Sequence, residues 1–387
     1  MSDNLILEKE SLAAEITRDS FFINSLKLAN FRNYSQLEMN IDSAPVVLTG
    51  PNGAGKTNIL EAISFLAPGK GFRGARLNEV DNKTLKQSWA VHATVNNGGN
   101  ITEIGTGRLA DENTDKRIVK IDGELRRNHA ELAGNFSLIY LTPQMDNIFI
   151  DGTASRRELL DRITYLFTPD HAKHLLEYEK LMRQRRKLIK QPRFDEEWAH
   201  SLEKMMAELA VVVAESRIKT LDLLTRMGEH KTPFPEAEIS IKGSMESMLQ
   251  TMPALQAEET YQNRLSEYRE VDRLSGRTNY GVHRSDFIVK HTEKGLSAES
   301  CSTGEQKALL ISIILAATRA RREWFGLAPV VLLDEVVAHL DEKRRQFLLS
   351  EILHLKVQAW LTGVDLEFFK NFSEKMQFFS VQNANIR

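Results

Sequence analysis

The stretch GPNGAGKTN, residues 50–58, decides the fold. It fits the pattern G-x-x-x-x-G-K-[ST], with Gly50, Gly55, Lys56 and Thr57 at the required spacing. The run APVVLTG before it is typical of a buried strand, and NILEAISFLA after it predicts a helix with one apolar face. In this order of strand, glycine loop and helix, backbone N–H groups and the positive end of a helix dipole face a bound phosphate.

The chemistry of a nucleotide site explains the residue types in this loop. Lys56 reaches the β- and γ-phosphates, and the Thr57 hydroxyl can hold Mg²⁺. A ligand-free glycine turn is the alternative, but it explains neither the Lys-Thr pair nor its position. We expect the phosphate site to consist of Gly50, Pro51, Asn52, Gly53, Ala54, Gly55, Lys56 and Thr57.

A second motif, PVVLLDE at residues 329–335, supplies the acids that such a site needs. Four consecutive apolar residues indicate a buried parallel strand that delivers two carboxylates at its carboxyl end. We expect Asp334 to hold Mg²⁺ through water, and Glu335 to orient and deprotonate the attacking water as the catalytic base. The motif is weak alone and strong together with the glycine loop.

The two motifs lie much further apart in the chain than a compact P-loop domain requires. The sequence therefore predicts an α/β nucleotide-binding head that is split by an inserted domain. Between about residues 150 and 275 the apolar residues recur at three- and four-residue spacing, with a break at Pro192. This pattern predicts an antiparallel helical arm, too short for the coiled coil of a cohesin or condensin subunit.

The stretch SCSTGEQKALL, residues 300–310, contains S-x-G-x-Q before a strongly apolar helix. One interpretation is an ordinary helix N-cap, with Ser302 or Thr303 as the cap and Glu305 in the first turn. The other is a second phosphate-binding helix start that meets ATP bound to another copy of the chain. For that trans site we expect Ser302, Gly304, Gln306 and, from AHLDEKRR, Asp341.

Composition limits the class of protein. The 387 residues carry a net charge of −2, so any nucleic-acid surface must be local. A single cysteine, Cys301, excludes an internal disulfide and fits a reducing compartment. The N-terminus has no apolar core of a secretory signal, and no stretch reaches the roughly 18 apolar residues of a membrane span. We expect a cytoplasmic ATP-dependent enzyme or switch without a membrane partner.

Basic residues form local clusters. A solvated surface is the plain interpretation of each cluster, and contact with nucleic-acid phosphates is the functional one. Few aromatic residues interleave, which favours backbone contact over base stacking. The roles of His283 and Arg284 are left open, as is whether the arm contacts DNA or a protein. The candidates for DNA contact are Lys70, Arg73, Arg76, Arg185 and Arg186.

The order of these motifs resembles the ABC-type ATPase heads of the SMC-like class, and in particular the RecF family of bacterial DNA repair proteins. The pairing of FRNY before the glycine loop with GVHRSDF before S-x-G-x-Q is the most specific part. Matching stretches run in order over roughly residues 24–366: LKLANFRNY, GPNGAGKTNILEAISFL, GKGFR, LTPQMD, SRRELLDR, GVHRSDF, STGEQKALL, VVLLDEVVAHLDEKRR and AWLTGVD.

The resemblance implies an ABC-type head with a mixed sheet and a slow, DNA-stimulated ATPase. It implies an ATP-dependent homodimer that binds gapped, single-stranded or duplex DNA and helps to load recombinase with RecR- and RecO-type partners. The associated processes are DNA replication, recombinational gap repair and the SOS response. It also places Arg32 and Asn33 at the nucleotide. Gln144 is a candidate metal ligand by the same resemblance, and an ordinary loop residue is an equal alternative. No switch histidine matches; Thr362 and Asp365 stand in LTGVD.

Two other classes remain as alternatives. An OLD-like nuclease would need an acidic metal-binding domain after the head, for which the remaining chain leaves no room. A transporter ATPase should carry a switch histidine and lack a basic arm. The expected domains are a flexible extension at 1–20, the first part of the head at 21–150, the arm at 151–275 and the second part of the head at 276–387.

Overall fold

The computed structural model describes residues 20–85, 87–110, 115–228, 232–363 and 365–386. The chain forms two compact units. The first consists of Met1–Met145, Lys231–Phe234 and Ile314–Arg387, and the second of Asp146–His230 and Pro235–Ile313. The predicted extension at residues 1–20 lies, except for its last residue, outside the described residues.

The first unit contains an antiparallel sheet with the strand order β2-β1-β4-β5-β6-β7. Alternating buried and exposed positions along β2 fit a sheet with one face in the core. The strands are β1 (Phe21–Phe31), β2 (Tyr34–Asn40), β4 (Ala90–Asn97), β5 (Asn100–Ala110), β6 (Asp115–Ile121) and β7 (Glu124–Leu125).

Its second sheet is mixed, with the order β15-β14-β3-β13-β12-β8. All neighbours pair in parallel except β14 and β15. β3 and β12 are buried at every position, as their uninterrupted apolar sequences predict. The strands are β3 (Val46–Thr49), β8 (Leu138–Leu141), β12 (Val330–Leu333), β13 (Ala359–Gly363), β14 (Gln377–Gln382) and β15 (Asn385–Ile386).

A buried glutamine joins the two sheets. Gln358 lies just before β13, and its amide exchanges hydrogen bonds with the backbone of Ile23 on β1, at 2.9 and 3.0 Å. The apolar core of this unit includes Phe31, Phe65 and Trp89, whose rings contact one another. The first unit also holds α1 (Lys56–Ser64) and α9 (Glu342–His354).

The second unit is mainly helical and has its own core. Its helices are α2 (Thr153–Tyr165), α3 (His171–Ile189), α4 (Glu196–Gly228), α5 (Ser244–Thr251), α6 (Ala254–Glu267) and α7 (Arg269–Ser275). The break predicted at Pro192 falls between α3 and α4, and Asp195 then caps α4 by accepting from the Trp198 amide at 3.0 Å. α4 is 33 residues long, or about 50 Å.

The second unit extends past residue 275, the predicted end of the arm. A small antiparallel sheet pairs β10 (Asp286–His291) with β9 (Ala237–Lys242) and with β11 (Leu296–Ser297). The long helix α8 (Thr303–Phe325) begins in this unit. Local helical periodicity carried no information about this strand pairing, because the partners lie more than forty positions apart. No described helix is long and apolar enough to span a membrane.

Candidate nucleotide site

The glycine loop between β3 and α1 has the backbone that its sequence predicts. Gly50, Gly53 and Gly55 have φ values of 137°, 78° and 117°, in the region that favours glycine. A Cβ at Gly50 would lie 2.1 Å from the Val381 carbonyl oxygen, and one at Gly55 would lie 2.6 Å from the Tyr34 hydroxyl. Larger residues at Gly50 and Gly55 are therefore excluded by both conformation and space.

Lys56 begins α1 and folds over its own loop. Its Nζ donates to the carbonyl oxygens of Gly50 at 2.6 Å and Pro51 at 3.0 Å. Burial lowers the pKa of Lys56, while the charges of Glu335 and Asp334 oppose this shift. A desolvated ammonium whose partners among the described residues are carbonyl oxygens, beside a helix N-terminus, is well suited to a phosphate.

Asp334 follows β12 and accepts two hydroxyl hydrogen bonds on one oxygen. Thr57 and Thr362 donate to its Oδ1 at 3.0 and 2.8 Å. The strand order explains the convergence, because β13, which carries Thr362, lies between β3 and β12. Burial raises the pKa of Asp334, and the two hydroxyls lower it.

Glu335 has a different environment from its neighbour. Its backbone N–H donates to the Thr362 hydroxyl at 2.8 Å, and its φ is 56°. This left-handed conformation is uncommon outside glycine and often marks functional positions. The Glu335 side chain is exposed and makes no hydrogen bond or ion pair within the described residues. Its carboxylate therefore faces solvent.

Arg32 and Arg73 converge on a buried carboxylate that the sequence analysis missed. Glu61 on α1 is fully buried. Arg32 donates to both of its oxygens, at 2.9 and 2.5 Å, and Arg73 donates to Oε2 at 2.7 Å and to Asn58 at 2.8 Å. The available signal was an acidic residue inside the otherwise apolar NILEAISFLA helix.

Asn33 supports the glycine loop from the β1–β2 turn. Its Nδ2 donates to the Ala54 carbonyl oxygen at 3.2 Å, and its Oδ1 accepts from Asn58 at 2.7 Å. Arg32 and Asn33 thus lie beside the loop but are engaged with the protein itself. Within the motif FRNY, Asn33 thus holds the glycine loop and Arg32 holds α1 through Glu61.

The remaining candidates of the first unit differ in exposure. Lys70 and Arg76 are exposed, whereas the Arg73 side chain is only 27% exposed. Arg73 is thus committed to Glu61, which argues against its predicted contact with DNA. Gln144 is exposed and follows β8, whose neighbour β12 carries Asp334. Asp341 caps α9 by accepting from the Arg344 amide at 2.9 Å.

The S-x-G-x-Q stretch forms a helix cap within the second unit. The Ser302 amide and hydroxyl both donate to Glu305 Oε2 at 2.9 Å. Gly304 is exposed, with open space where a Cβ would lie. Gln306 is buried, and its amide donates to the Cys301 carbonyl oxygen at 2.9 Å. The ordinary cap is present, Ser302 and Gly304 are accessible, and Gln306 is not.

The two DNA-contact candidates of the arm, Arg185 and Arg186, differ in exposure. Arg186 is exposed, but Arg185 is fully buried and donates to Glu203 at 2.8 Å and Asp272 at 2.6 Å. The prediction that Arg185 contacts DNA is therefore wrong. Neighbouring basic residues on a helix point in different directions, so the charge run alone could not distinguish the inward one.

His283 is a structural residue of the second unit. It hydrogen-bonds the Thr278 carbonyl oxygen at 2.9 Å and lies 3.3 Å from the Tyr178 hydroxyl, and burial lowers its pKa. Arg284 is exposed. Neither residue gains a catalytic role from this arrangement.

A glycine loop and an Asp–Glu strand in one mixed sheet, together with a separate antiparallel sheet, are typical of an ABC-type ATPase head of the SMC-like class. The family model described as RecF/RecN/SMC N terminal domain matches residues 22–387. The chain belongs to the RecF family. It is 41% identical to the DNA replication and repair protein RecF of Rhizobium rhizogenes and 40% identical to that of Mesorhizobium japonicum, over 94% of this chain and 98% and 97% of theirs.

Solved structures agree with this fold. A structure of the recombination mediator protein RecF with ATP matches with a TM-score of 0.82 at 22% identity, covering 95% of this chain and 97% of that one. An Smc head bound to the C-winged helix domain of ScpA matches with a TM-score of 0.53 at 15% identity, covering 95% and 96%. The predicted α/β head of ABC type with a mixed sheet is confirmed.

Proposed function

We propose that the chain is a RecF-type switch that hydrolyses ATP slowly and binds DNA in its ATP-bound form. The observation that carries the proposal is the convergence of Thr57 and Thr362 on Asp334, next to Glu335, whose exposed side chain pairs with no residue that the structure describes. Membership of an ABC-type ATPase family supports the hydrolysis. The slow rate follows if each site is completed by a second chain.

The residues fit magnesium and a triphosphate. Thr57 and Asp334 offer hard oxygen ligands, which Mg²⁺ prefers. The Thr57 hydroxyl oxygen and Asp334 Oδ1 lie 3.0 Å apart. When bound, the ion would neutralise phosphate charge and polarise the phosphoryl group. Lys56 would exchange its carbonyl partners for phosphate oxygens. Glu335 would accept the proton of the attacking water, and Thr362 would hold both acids in position. Gln144 is the further proposed ligand.

The proposed dimer uses the exposed part of S-x-G-x-Q. Ser302 and Gly304 would face the nucleotide of the partner copy, with Asp341 near the same interface. ATP would act as part of this interface, and hydrolysis would release it. The buried Gln306 would act only by holding the backbone before α8.

The proposed DNA surface lies on the head. Lys70 and Arg76 are exposed near the end of α1 and would contact phosphates, so binding would be insensitive to sequence. The names of the relatives support a role in DNA replication and repair. By the same resemblance, we propose that the protein is cytoplasmic and binds gapped DNA. It would help to load recombinase together with RecR- and RecO-type partners and would act in the SOS response.

ATP binding, hydrolysis and DNA affinity of matched variants test the proposal. Lys56→Ala should weaken ATP binding, whereas Glu335→Gln should bind ATP and stop hydrolysis. Lys70→Glu with Arg76→Glu should reduce ATP-dependent DNA affinity. It should also flatten the dependence of log K on log salt by about 0.9 per lost phosphate contact. Lys219→Glu, an exposed change on α4, is the control. If the Lys56, Glu335 and Lys70/Arg76 variants all behave like the parent, the proposed ATP and DNA sites are refuted.

A further inference from the structure

Helix α7 is fixed to the second unit by its inward-facing charges. Asp272 is buried and accepts from Arg185 at 2.6 Å and from the Asn279 amide at 2.8 Å. Arg269 donates to Glu203 at 3.0 and 2.5 Å. Residues 269 and 272 lie one turn apart, so one face of α7 is anchored by buried ion pairs. The opposite face therefore has a defined orientation.

That outer face is apolar. Val271 is 51% exposed and Leu274 is 75% exposed, the highest value among the large hydrophobic side chains that the structure describes as exposed. They are three positions apart on the helix and share one surface. The charged neighbours Glu270 and Arg273 pair with each other at 2.6 Å. Two exposed aliphatic side chains on an anchored helix form a small apolar surface of fixed geometry, which lowers the ordering cost of binding a partner.

The surface beside α7 is strongly basic. Residues 180–194 contain seven basic residues and no acidic one, and only Arg185 points inward. Arg186 and Lys190 lie four positions apart on α3 and share a face. A Cβ at Gly276, directly after α7, would lie 3.7 Å from Lys190 Nζ. Arg277 is exposed on the same connection.

Three of these basic residues, Arg186, Lys190 and Arg277, form no ion pair with the described residues. We call Val271, Leu274, Arg186, Lys190 and Arg277 the arm patch. It therefore combines two exposed aliphatic anchors with three free positive charges.

We infer that the arm patch binds a protein segment in which apolar residues alternate with Asp or Glu. Charge complementarity selects the acidic partner, and the exposed aliphatic pair selects a protein over DNA. A phosphate backbone would neutralise the basic residues but leave Val271 and Leu274 in water. Every residue of the arm patch belongs to the second unit, whereas the glycine loop and Asp334 belong to the first, so peptide binding can be measured without ATP.

Selection of a random-peptide phage library against the full chain tests the inference, since it needs no identified partner. The selection is repeated on Leu274→Glu, and enriched peptides are then titrated by fluorescence anisotropy. We expect the peptides enriched only on the parent to combine Asp or Glu with Leu, Ile or Phe. Leu274→Glu, and Arg186→Glu with Lys190→Glu, should each weaken binding at least about tenfold. The charge variant should also reduce the salt dependence.

Matched exposed changes serve as controls. Leu255→Glu, at a position 69% exposed on α6, and Lys173→Glu on α3 should leave peptide affinity unchanged. Leu274→Ser tests loss of the anchor without added charge and should also weaken binding. Selection of no peptide, or equal binding by Leu274→Glu, would overturn the inference. If Arg186→Glu with Lys190→Glu instead lowers affinity for duplex DNA only, the arm patch is a nucleic-acid surface.

Discussion

Replacing Thr362 with valine removes the hydroxyl that links the two acids of the site. Thr362 donates to Asp334 at 2.8 Å and accepts from the Glu335 amide at 2.8 Å, and both Thr362 and Asp334 are buried. Valine has nearly the same shape but forms neither hydrogen bond. The variant therefore isolates the contribution of one oxygen atom to folding and catalysis.

The expected magnitude follows from the two lost hydrogen bonds. A hydrogen bond to a charged group contributes about 1.5–3 kcal/mol, and one between neutral groups about 0.5–1.5 kcal/mol. We expect the free energy of unfolding to fall by about 2–4 kcal/mol. The pKa of Asp334 should rise further, because one of the two hydroxyls that lower it is gone. Protonated Asp334 cannot hold a metal, so hydrolysis should fail first at acidic pH.

Urea unfolding without nucleotide and a pH series of ATP hydrolysis measure both effects. We expect hydrolysis at neutral pH to fall about tenfold to a hundredfold, with ATP affinity nearly unchanged because the glycine loop is intact. Thr362→Ser is the control, since it keeps the hydroxyl, and it should retain most of the activity. Parent stability and parent hydrolysis in Thr362→Val would refute the proposed role of this residue.

Three further predictions concern the same unit. Asp334→Asn should stabilise the nucleotide-free chain. Because the pKa of Asp334 is raised in the folded state, its ionised form costs stability, and this cost grows as pH rises from about 4 through the folded pKa. The free energies of unfolding of parent and variant in urea should therefore agree at low pH and diverge at higher pH. Burial lowers the pKa of His129 to about 4, and its Nδ1 accepts a hydrogen bond from the Gly69 amide. The free energy of unfolding should therefore fall by up to about 3 kcal/mol as pH falls from about 6.5 to 4. The same loss of stability in His129→Gln over this pH range would contradict the prediction. Gly55→Ala should abolish ATP binding in calorimetry, because its Cβ would lie 2.6 Å from the Tyr34 hydroxyl; parent affinity would contradict the loop geometry.

The local motifs predicted the central part of the site. Lys56, Thr57 and Asp334 converge because strand–loop–helix and strand–acid patterns are short and carry their own mechanism. The apolar runs VVLT and VVLL also predicted buried strands correctly. These features depend on residues that are neighbours in the sequence.

Features that depend on distant pairing were not predictable in this way. Glu61 binds Arg32 and Arg73 across 29 and 12 positions, and Thr362 meets Asp334 only because β13 lies between β3 and β12. The arm gave the clearest error, since Arg185 and Arg186 look alike in the sequence. The two side chains leave the helix in different directions. Arg185 therefore reaches the distant acid Asp272 in the interior, whereas Arg186 lies in solvent.

We propose that ATP binds at Lys56 and holds two chains together until Glu335 acts. Sedimentation velocity of Glu335→Gln with and without ATP tests it most directly, with Ser302→Arg as the partner variant. We expect a stable dimer of Glu335→Gln with ATP, a monomer without it, and a monomer of Ser302→Arg that still binds ATP. A Glu335→Gln chain that binds ATP but stays monomeric, or a Ser302→Arg chain that dimerises normally, would contradict the account.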